Sequence, residues 1–149
     1  FSKAFGLASF RIGYCISNKS IIDVLNKIRN PKNVSMFAQE AALAALDDFQ
    51  YVSSYVKKVN NSKNIFFSFL SQKKWIKPFF GAGNFIFMEI KDDLKDRLII
   101  FLKKNKVFIR NYGHIKNTEN FIRISIGTVV QMKKVISLID TFESNHSPK

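Results

Sequence analysis

The chain has 149 residues, 46% of them hydrophobic and 23% charged, with 24 Lys+Arg against 11 Asp+Glu and a formal charge of +13. This is one ordinary domain's length, enough for a sizeable core, and too apolar for a disordered chain. No apolar run approaches the roughly 18 residues of a membrane span. The single cysteine, Cys15, excludes an intramolecular disulfide framework and a cysteine-cluster zinc site.

The positive charge is spread along the chain: 12 basic and 4 acidic side chains fall in residues 1–84, and 12 and 7 in residues 85–149. A basic excess raises the question of nucleic acid or an acidic surface as partner. No nucleic-acid motif accompanies it, and 19 of the 24 basic residues are Lys, many on the polar faces of expected helices. A solvated lysine-rich surface is the simpler reading, with neither nucleic acid nor membrane as partner. Phe1-Ser2-Lys3 has neither an initiator Met nor the features of a signal peptide, so the chain reads as part of a longer protein. One thiol fits the reducing cytoplasm.

Ser2 to Phe10 is rich in small residues, contains Gly6, and reads as a loop or tight turn. Arg11 to Ser17 is apolar and β-favouring, and reads as a buried strand. Asn18 or Ser20 can cap a short helix with Ile21, Leu25 and Ile28 on one face, ended by Pro31. Ser35 opens an alanine-rich helix through Leu46. After Asp47-Asp48, the spacing of Phe49, Val52, Val56, Val59, Phe66 and Leu70 predicts a long helix of about 25 residues, nearly 40 Å.

Pro78 and Gly81-Ala82-Gly83 mark a break. Asn84 to Ile90 then reads as a strand. Asp92-Asp93 opens a helix with Leu94, Leu98, Phe101 and Leu102 inward and Lys103-Lys104 at its negative end. Val107 to Arg110 is a short strand. Phe121 to Ile126 is another, with Phe121, Arg123 and Ser125 on one face and Ile122, Ile124 and Ile126 on the other. Thr128 and Gln131 form a capping box before a helix burying Met132, Val135, Ile136 and Ile139, and Asn145 to Lys149 is a tail. This β-α-β-β-α order is a small α+β layer domain.

Ser2-Lys3, a small-residue turn and then Arg11 is the most informative stretch. A lysine amine can attack an aldehyde, and a hydroxyl with a guanidinium can hold a phosphate. Pyridoxal phosphate carries both groups. The run S-K-A-F-G-L-A-S-F-R-I-G-Y resembles the S-K-x-x-G-L-A-G-x-R-x-G-Y cofactor-lysine signature of fold-type-I pyridoxal-phosphate aminotransferases. It departs at Ser9, where Gly is usual. P-K-N-V-S-M-F-A-Q-E-A-A-L-A-A-L resembles the P-Y-N-V-S-x-x-A-Q-x-A-A-x-A-A-L stretch of the histidinol-phosphate aminotransferase subgroup. F-I-R-I-S-I-G-T resembles its L-R-I-T-I-G-T, and V-F-I-R-N-Y-G its I-I-V-R-x-x-G. These motifs run in order from Ser2 to about Asp140.

The resemblance implies an α/β fold: residues 1–78 as the end of the cofactor-binding large domain with its interdomain helix, and 79–149 as a small C-terminal α+β domain. It implies that Lys3 forms the Schiff base with the cofactor and then moves the proton between substrate Cα and cofactor C4′. Ser2 and Arg11 hold the cofactor phosphate. Arg123 pairs with the substrate's anionic group. On its strand pattern alone, Arg123 is equally a structural ion pair; the resemblance favours the ligand. Arg110 is a second anion contact or simply an edge residue. Lys32 stands where the subgroup usually has Tyr or Phe reaching the partner subunit's site; a lysine there can meet a phosphate as a mobile point charge.

The implied activity is amino transfer between an amino-phosphate compound, L-histidinol phosphate foremost, and 2-oxoglutarate/glutamate, in a homodimer. The family's ring-stacking aromatic and pyridine-nitrogen Asp lie upstream of the lysine, so these 149 residues alone are expected to be inactive. A threonine- or serine-phosphate decarboxylase shares the lysine signature, and a basic binding module is the alternative of another class. Cys15 reads as an inert core residue, and His114 and His146 as solvated, leaving no metal site. Trp75 and Phe79-Phe80 read as packing at the junction of the two parts.

Overall fold

The computed structural model describes residues 1–91 and 94–146, so the expected helix opening at Asp92-Asp93 lies outside the described residues. The chain divides into two compact units, residues 1–56 and 57–149.

In the first unit, a 3₁₀ turn, Ala8–Phe10, is followed by α1 (Lys19–Ile28), α2 (Met36–Asp47) and the start of α3 (Phe49–Leu70). Of the two candidate caps for α1, Asn18 is the one used: its Oδ1 accepts from the Ile21 N–H at 3.0 Å, and Ser20 Oγ donates to the same oxygen at 2.8 Å. Ser35 caps α2 by accepting from the Ala38 N–H at 3.2 Å. Asp48 does the same for α3 through the Tyr51 N–H at 3.2 Å. These oxygens satisfy helix N–H groups that have no partner within the helix. With 22 residues, α3 is about 33 Å long, shorter than its periodicity suggested.

The expected buried strand over Arg11–Ser17 is not formed. Residues 12–18 have no regular structure, and apart from a half-buried Ile12 they are exposed. A strand needs a neighbour for its backbone N–H and C=O groups, and among the described residues no segment pairs with this one.

The second unit is a four-stranded antiparallel sheet of β1 (Ile76–Phe79), β2 (Phe85–Ile90), β3 (Arg110–Asn111) and β4 (Phe121–Ser125), in the order β1-β2-β4-β3. Alternation gives the sheet two unlike faces. Ile76, Ile86, Met88, Ile90, Ile122 and Ile124 are buried and join Phe66 and Leu70 of α3, Leu98 and Leu102 of α4 (Leu94–Lys104), and Met132, Val135, Ile139 and Phe142 of α5 (Val129–His146) in one core. The capping box is present: the Thr128 N–H donates to Gln131 Oε1 at 2.8 Å, and the Gln131 N–H to Thr128 Oγ1 at 3.3 Å.

Several sequence expectations are corrected here. Pro78 does not break the chain but lies in β1, opposite Met88; β1 is an edge strand, where a missing N–H costs no ladder bond. The strand expected over Val107–Arg110 is only Arg110–Asn111, because only those residues pair with β4. The helix α5 runs through Asn145 and His146, past the tail expected from Asn145; His146 stacks on Phe142 with ring centroids 4.2 Å apart. Trp75, Phe79 and Phe80 pack within the second unit, against Phe142, Phe121 and Phe67 respectively.

The lysines are not all solvated. Lys63 is 2% exposed, its ammonium donating to the carbonyls of Gly81 and Gly83 and lying 4.3 Å from the Phe80 ring centroid. A buried ammonium needs such acceptors, each charged hydrogen bond contributing roughly 1.5–3 kcal/mol. Lys63 thereby ties the loop after β1 to α3.

Lys73 bonds Asp140 and Glu143 of α5, both at 2.6 Å, and Trp75 Nε1 donates to Glu143 at 2.8 Å. The Lys73 hydrogen bond, helped by Trp75 and opposed by burial, holds the Glu143 carboxyl below its ordinary value of 4.5. Burial pulls the Lys73 ammonium downward, but the two carboxylates together outweigh it and hold the group above 10.5. A carboxyl with a depressed folded pKa adds stability that is present above its unfolded value and lost as pH falls through the folded one. A raised lysine loses its contribution only on the alkaline side. Glu143→Gln should therefore lower the denaturation midpoint at neutral pH and flatten its decline below about pH 4.5, measured by urea denaturation across pH.

Candidate active site

The first group of predicted site residues is organised by a turn. The Gly6 N–H donates to the Lys3 carbonyl at 3.0 Å, and the Leu7 N–H to the Phe1 carbonyl at 3.2 Å. Gly6 has φ +70°, and a Cβ built there meets nothing within 4 Å, so the need for glycine is conformational. Ser9, the departure from the signature, sits in the 3₁₀ turn without a positive φ, so a side chain is accommodated there.

Arg11 adopts a left-handed conformation, φ +53° and ψ 38°, and its Nη1 donates to the Ala8 carbonyl at 3.1 Å. For a residue other than glycine that conformation costs roughly 1–2 kcal/mol. Phe1 contacts Phe5 (centroids 4.8 Å apart) and Tyr14 (5.7 Å), which brings the segment after Arg11 back to the start of the turn. Lys3 is exposed and Ser2 half-buried, and neither side chain has a hydrogen-bond partner among the described residues. Lys32 is exposed in the α1–α2 loop, its N–H donating to Asn30 Oδ1 at 2.9 Å.

The second group lies on the outer face of the sheet. In register, Arg123 of β4 stands directly opposite Arg110 of β3 on one side and Phe87 of β2 on the other. Directly opposed like charges destabilise a sheet by about 0.2–1 kcal/mol unless something lies between them. Among the described residues neither arginine pairs with a carboxylate; Glu89, on the same face, lies 4.0 Å from Lys77. Arg123 Nη1 donates to the Tyr112 hydroxyl at 3.3 Å, its guanidinium lies 5.0 Å from the Phe85 ring centroid, and its Nε is buried without a partner.

Aromatic rings pave the same face. Phe87 and Phe121 stack at 4.9 Å, Phe79 adds to Phe121 at 5.9 Å, and Tyr112 meets Phe87 edge-on at 5.1 Å. Such pairs add roughly 0.5–1.5 kcal/mol each and hold the arginine's surroundings rigid. Tyr112, Phe85 and Phe87 were not singled out from sequence. The alternation of Phe85 and Phe87 was the available signal, but only strand register shows that they share Arg123's face.

Cys15 is exposed rather than buried, because its strand is absent. His114 is exposed in the β3–β4 connection. Among the described residues no three His, Cys, Asp or Glu side chains gather to hold a metal ion. No described helix is long and apolar enough to cross a membrane.

The pattern of the family "Aminotransferase class I and II" matches residues 1–139. The chain belongs to this aminotransferase family. It is 43% identical over 148 residues to a dihydroxyacetone phosphate transaminase of Campylobacter jejuni, covering 95% of this chain and 38% of that protein. It is 38% identical over 144 residues to a histidinol-phosphate aminotransferase of Macrococcus caseolyticus, covering 97% and 38%. Among solved structures, the histidinol-phosphate aminotransferase of Sinorhizobium meliloti in complex with pyridoxal 5'-phosphate superimposes with a TM-score of 0.80 at 30% identity, covering 97% of this chain and 40% of that one. The chain thus spans about two fifths of its relatives' length. The fold is that of the fold-type-I pyridoxal-phosphate aminotransferases.

Pyridoxal phosphate is the cofactor of this aminotransferase family. The first unit's donor set fits it: an exposed, unpaired lysine amine for the aldehyde, and a hydroxyl and a guanidinium for the phosphate. Gly6→Ala forces a side chain into the left-handed region at a cost of about 1–2 kcal/mol and disturbs the turn carrying Lys3. In the full-length protein it should weaken pyridoxal phosphate binding several-fold, read by titrating the cofactor's absorbance.

Proposed function

We propose that the protein containing this chain transfers an amino group between a small phosphate monoester, L-histidinol phosphate foremost, and 2-oxoglutarate/glutamate, as a cytoplasmic homodimer. The observation that carries the reading is the cross-strand pair Arg110–Arg123, two guanidinium groups opposed on one sheet face without a carboxylate between them among the described residues. Such a pair suits a carboxylate or a phosphate, each arginine offering a fork of donors.

The residue roles follow from the donor set. When bound, pyridoxal phosphate supplies an aldehyde for the amino group and a ring that accepts electrons from the substrate Cα. The Lys3 amine would hold the cofactor aldehyde and would move a proton at the substrate Cα. The Ser2 hydroxyl donates one hydrogen bond to the cofactor phosphate. Arg11 pairs with that phosphate through donors left free by its Ala8 contact. Arg123 and Arg110 orient the substrate through its anionic group, so that the scissile Cα–H bond is presented correctly. Lys32, exposed and carrying charge where the subgroup usually has an aromatic, meets a phosphate oxygen rather than an imidazole ring.

That position favours a second reading, in which the phosphate-bearing partner is dihydroxyacetone phosphate. It has no ring to stack and would need only charge at Lys32; the 43% identical relative bears that activity in its name. The test is an amino-transfer screen on the full-length protein. Histidinol phosphate as donor to 2-oxoglutarate should give the highest kcat/KM; preferential amination of dihydroxyacetone phosphate by glutamate would replace it with the second reading. Lys3→Ala should lower kcat by several orders of magnitude and abolish the borohydride-reducible absorbance band. Retention of that band would refute the role of Lys3.

A further inference from the structure

We propose that Tyr112 is the positioning residue for Arg123, fixing the orientation in which that arginine meets the substrate's anionic group; the inference rests on the aminotransferase reading of Arg123 given above. Arg123 has little else to hold it. Its cross-strand neighbours are a phenylalanine and a second arginine, and among the described residues its guanidinium donates one hydrogen bond, from Nη1 to the Tyr112 hydroxyl at 3.3 Å. The Phe85 ring supports one face of the planar group, with the guanidinium carbon 5.0 Å from the ring centroid. A ring face restrains tilt but leaves the group free to turn in its own plane. The tyrosine oxygen supplies the in-plane restraint, because an N–H donor is directional.

Tyr112 is itself anchored on every side. Its N–H donates to the Phe121 carbonyl at 3.0 Å, and its carbonyl accepts from the Ile115 N–H at 2.9 Å and from Thr118 Oγ1 at 3.0 Å. Its ring meets Phe87 edge-on, and Phe87 stacks on Phe121. The loop that follows is clamped from α4: Lys95, 8% exposed, donates to the Glu119 carbonyl at 2.5 Å. At Gly113 a Cβ would fall 2.6 Å from the Lys95 nitrogen and 3.2 Å from the Glu119 oxygen, so the clamp closes over a residue without a side chain. The hydroxyl is therefore held by backbone bonds, an edge-on ring contact and a buried lysine, a far stiffer mount than the arginine's own four-bond stem.

The arrangement also explains the unpartnered Arg123 Nε. A buried N–H without an acceptor costs roughly 1–3 kcal/mol and is kept only where the surroundings over-determine the side chain. With Nη1 held by Tyr112, the guanidinium cannot turn to satisfy Nε within the protein, and its remaining Nη2 edge is left for an oxyanion.

The test uses the full-length holoenzyme with Tyr112→Phe and Arg123→Gln, and succinate and inorganic phosphate as unreactive anions whose binding is read from the cofactor's absorbance. Tyr112→Phe keeps the ring on Phe87. It should weaken binding of at least one of these anions, and raise KM for the anionic substrate, by roughly 3- to 10-fold, as expected for loss of one hydrogen bond to a charged group. Its kcat should fall less than twofold and its thermal midpoint should hold. Arg123→Gln should weaken the same anion further. Unchanged binding and KM in Tyr112→Phe, with a clear loss in Arg123→Gln, would overturn the role of Tyr112 and leave the arginine's intact. Unchanged binding in both variants would overturn the two together. A fall in kcat or thermal midpoint without a change in KM would make Tyr112 a packing residue only, and would likewise overturn the proposal.

Discussion

Two guanidinium groups on opposed positions of neighbouring strands define the outer face of this sheet. Arg110 and Arg123 are brought together by the antiparallel register of β3 and β4, and that register is fixed by burial on the other face. Ile122 and Ile124 alternate with Arg123 and are buried against α4 and α5. A slip of one residue would put the arginine into the core and the isoleucines into water. The core thus enforces a charge arrangement that the outer face, taken alone, would avoid. The aromatic slab of Phe79, Phe87, Phe121 and Tyr112 lies on the same face, where Tyr112 and Phe85 contact Arg123.

Buried lysines serve the same unit in a different way. Lys63 and Lys95 direct their ammonium groups at backbone carbonyls rather than at a deeply buried carboxylate. Each ties a loop to a helix, Lys63 the turn after β1 and Lys95 the connection before β4. A carbonyl acceptor carries no titrating charge, unlike the Glu143 carboxylate that Lys73 pairs with; Lys95 lies in addition 3.4 Å from the exposed Asp96 carboxylate. The loop that carries Tyr112 is held both by the Lys95 bond to the Glu119 carbonyl and by the Glu119 carboxylate, which accepts from the Asn117 N–H at 3.0 Å.

The first unit is built on other terms. Its helices are capped by side chains adjacent in sequence, yet α1 buries none of its side chains, and Met36 and Phe37 of α2 are more than 70% exposed. Local hydrogen bonding is enough to specify these helices, whereas most of their apolar surface finds no partner in this unit. The turn around Lys3 is likewise local: one glycine at positive φ, two backbone hydrogen bonds, and a left-handed Arg11. The residues proposed to bind the cofactor need only their near neighbours to take shape.

The amino-acid sequence by itself determined the elements set by short-range rules. The cap at Ser35, a cap for α1 at Asn18 or Ser20, the Thr128–Gln131 box and the two faces of β4 were legible, because each depends on residues within a few positions of one another. The family signature was legible for the same reason, as an ordered set of local motifs. Tertiary structure decided what depended on partners distant in the chain. It absorbed Pro78 into an edge strand, left residues 12–18 without a strand partner, buried Lys63, and set Tyr112, Phe85 and Phe87 around Arg123. Hydrophobic alternation records which side chains share a face of their own strand. Which strand lies beside it, and in what register, is fixed only when backbone groups far apart in the chain pair and bury a common core.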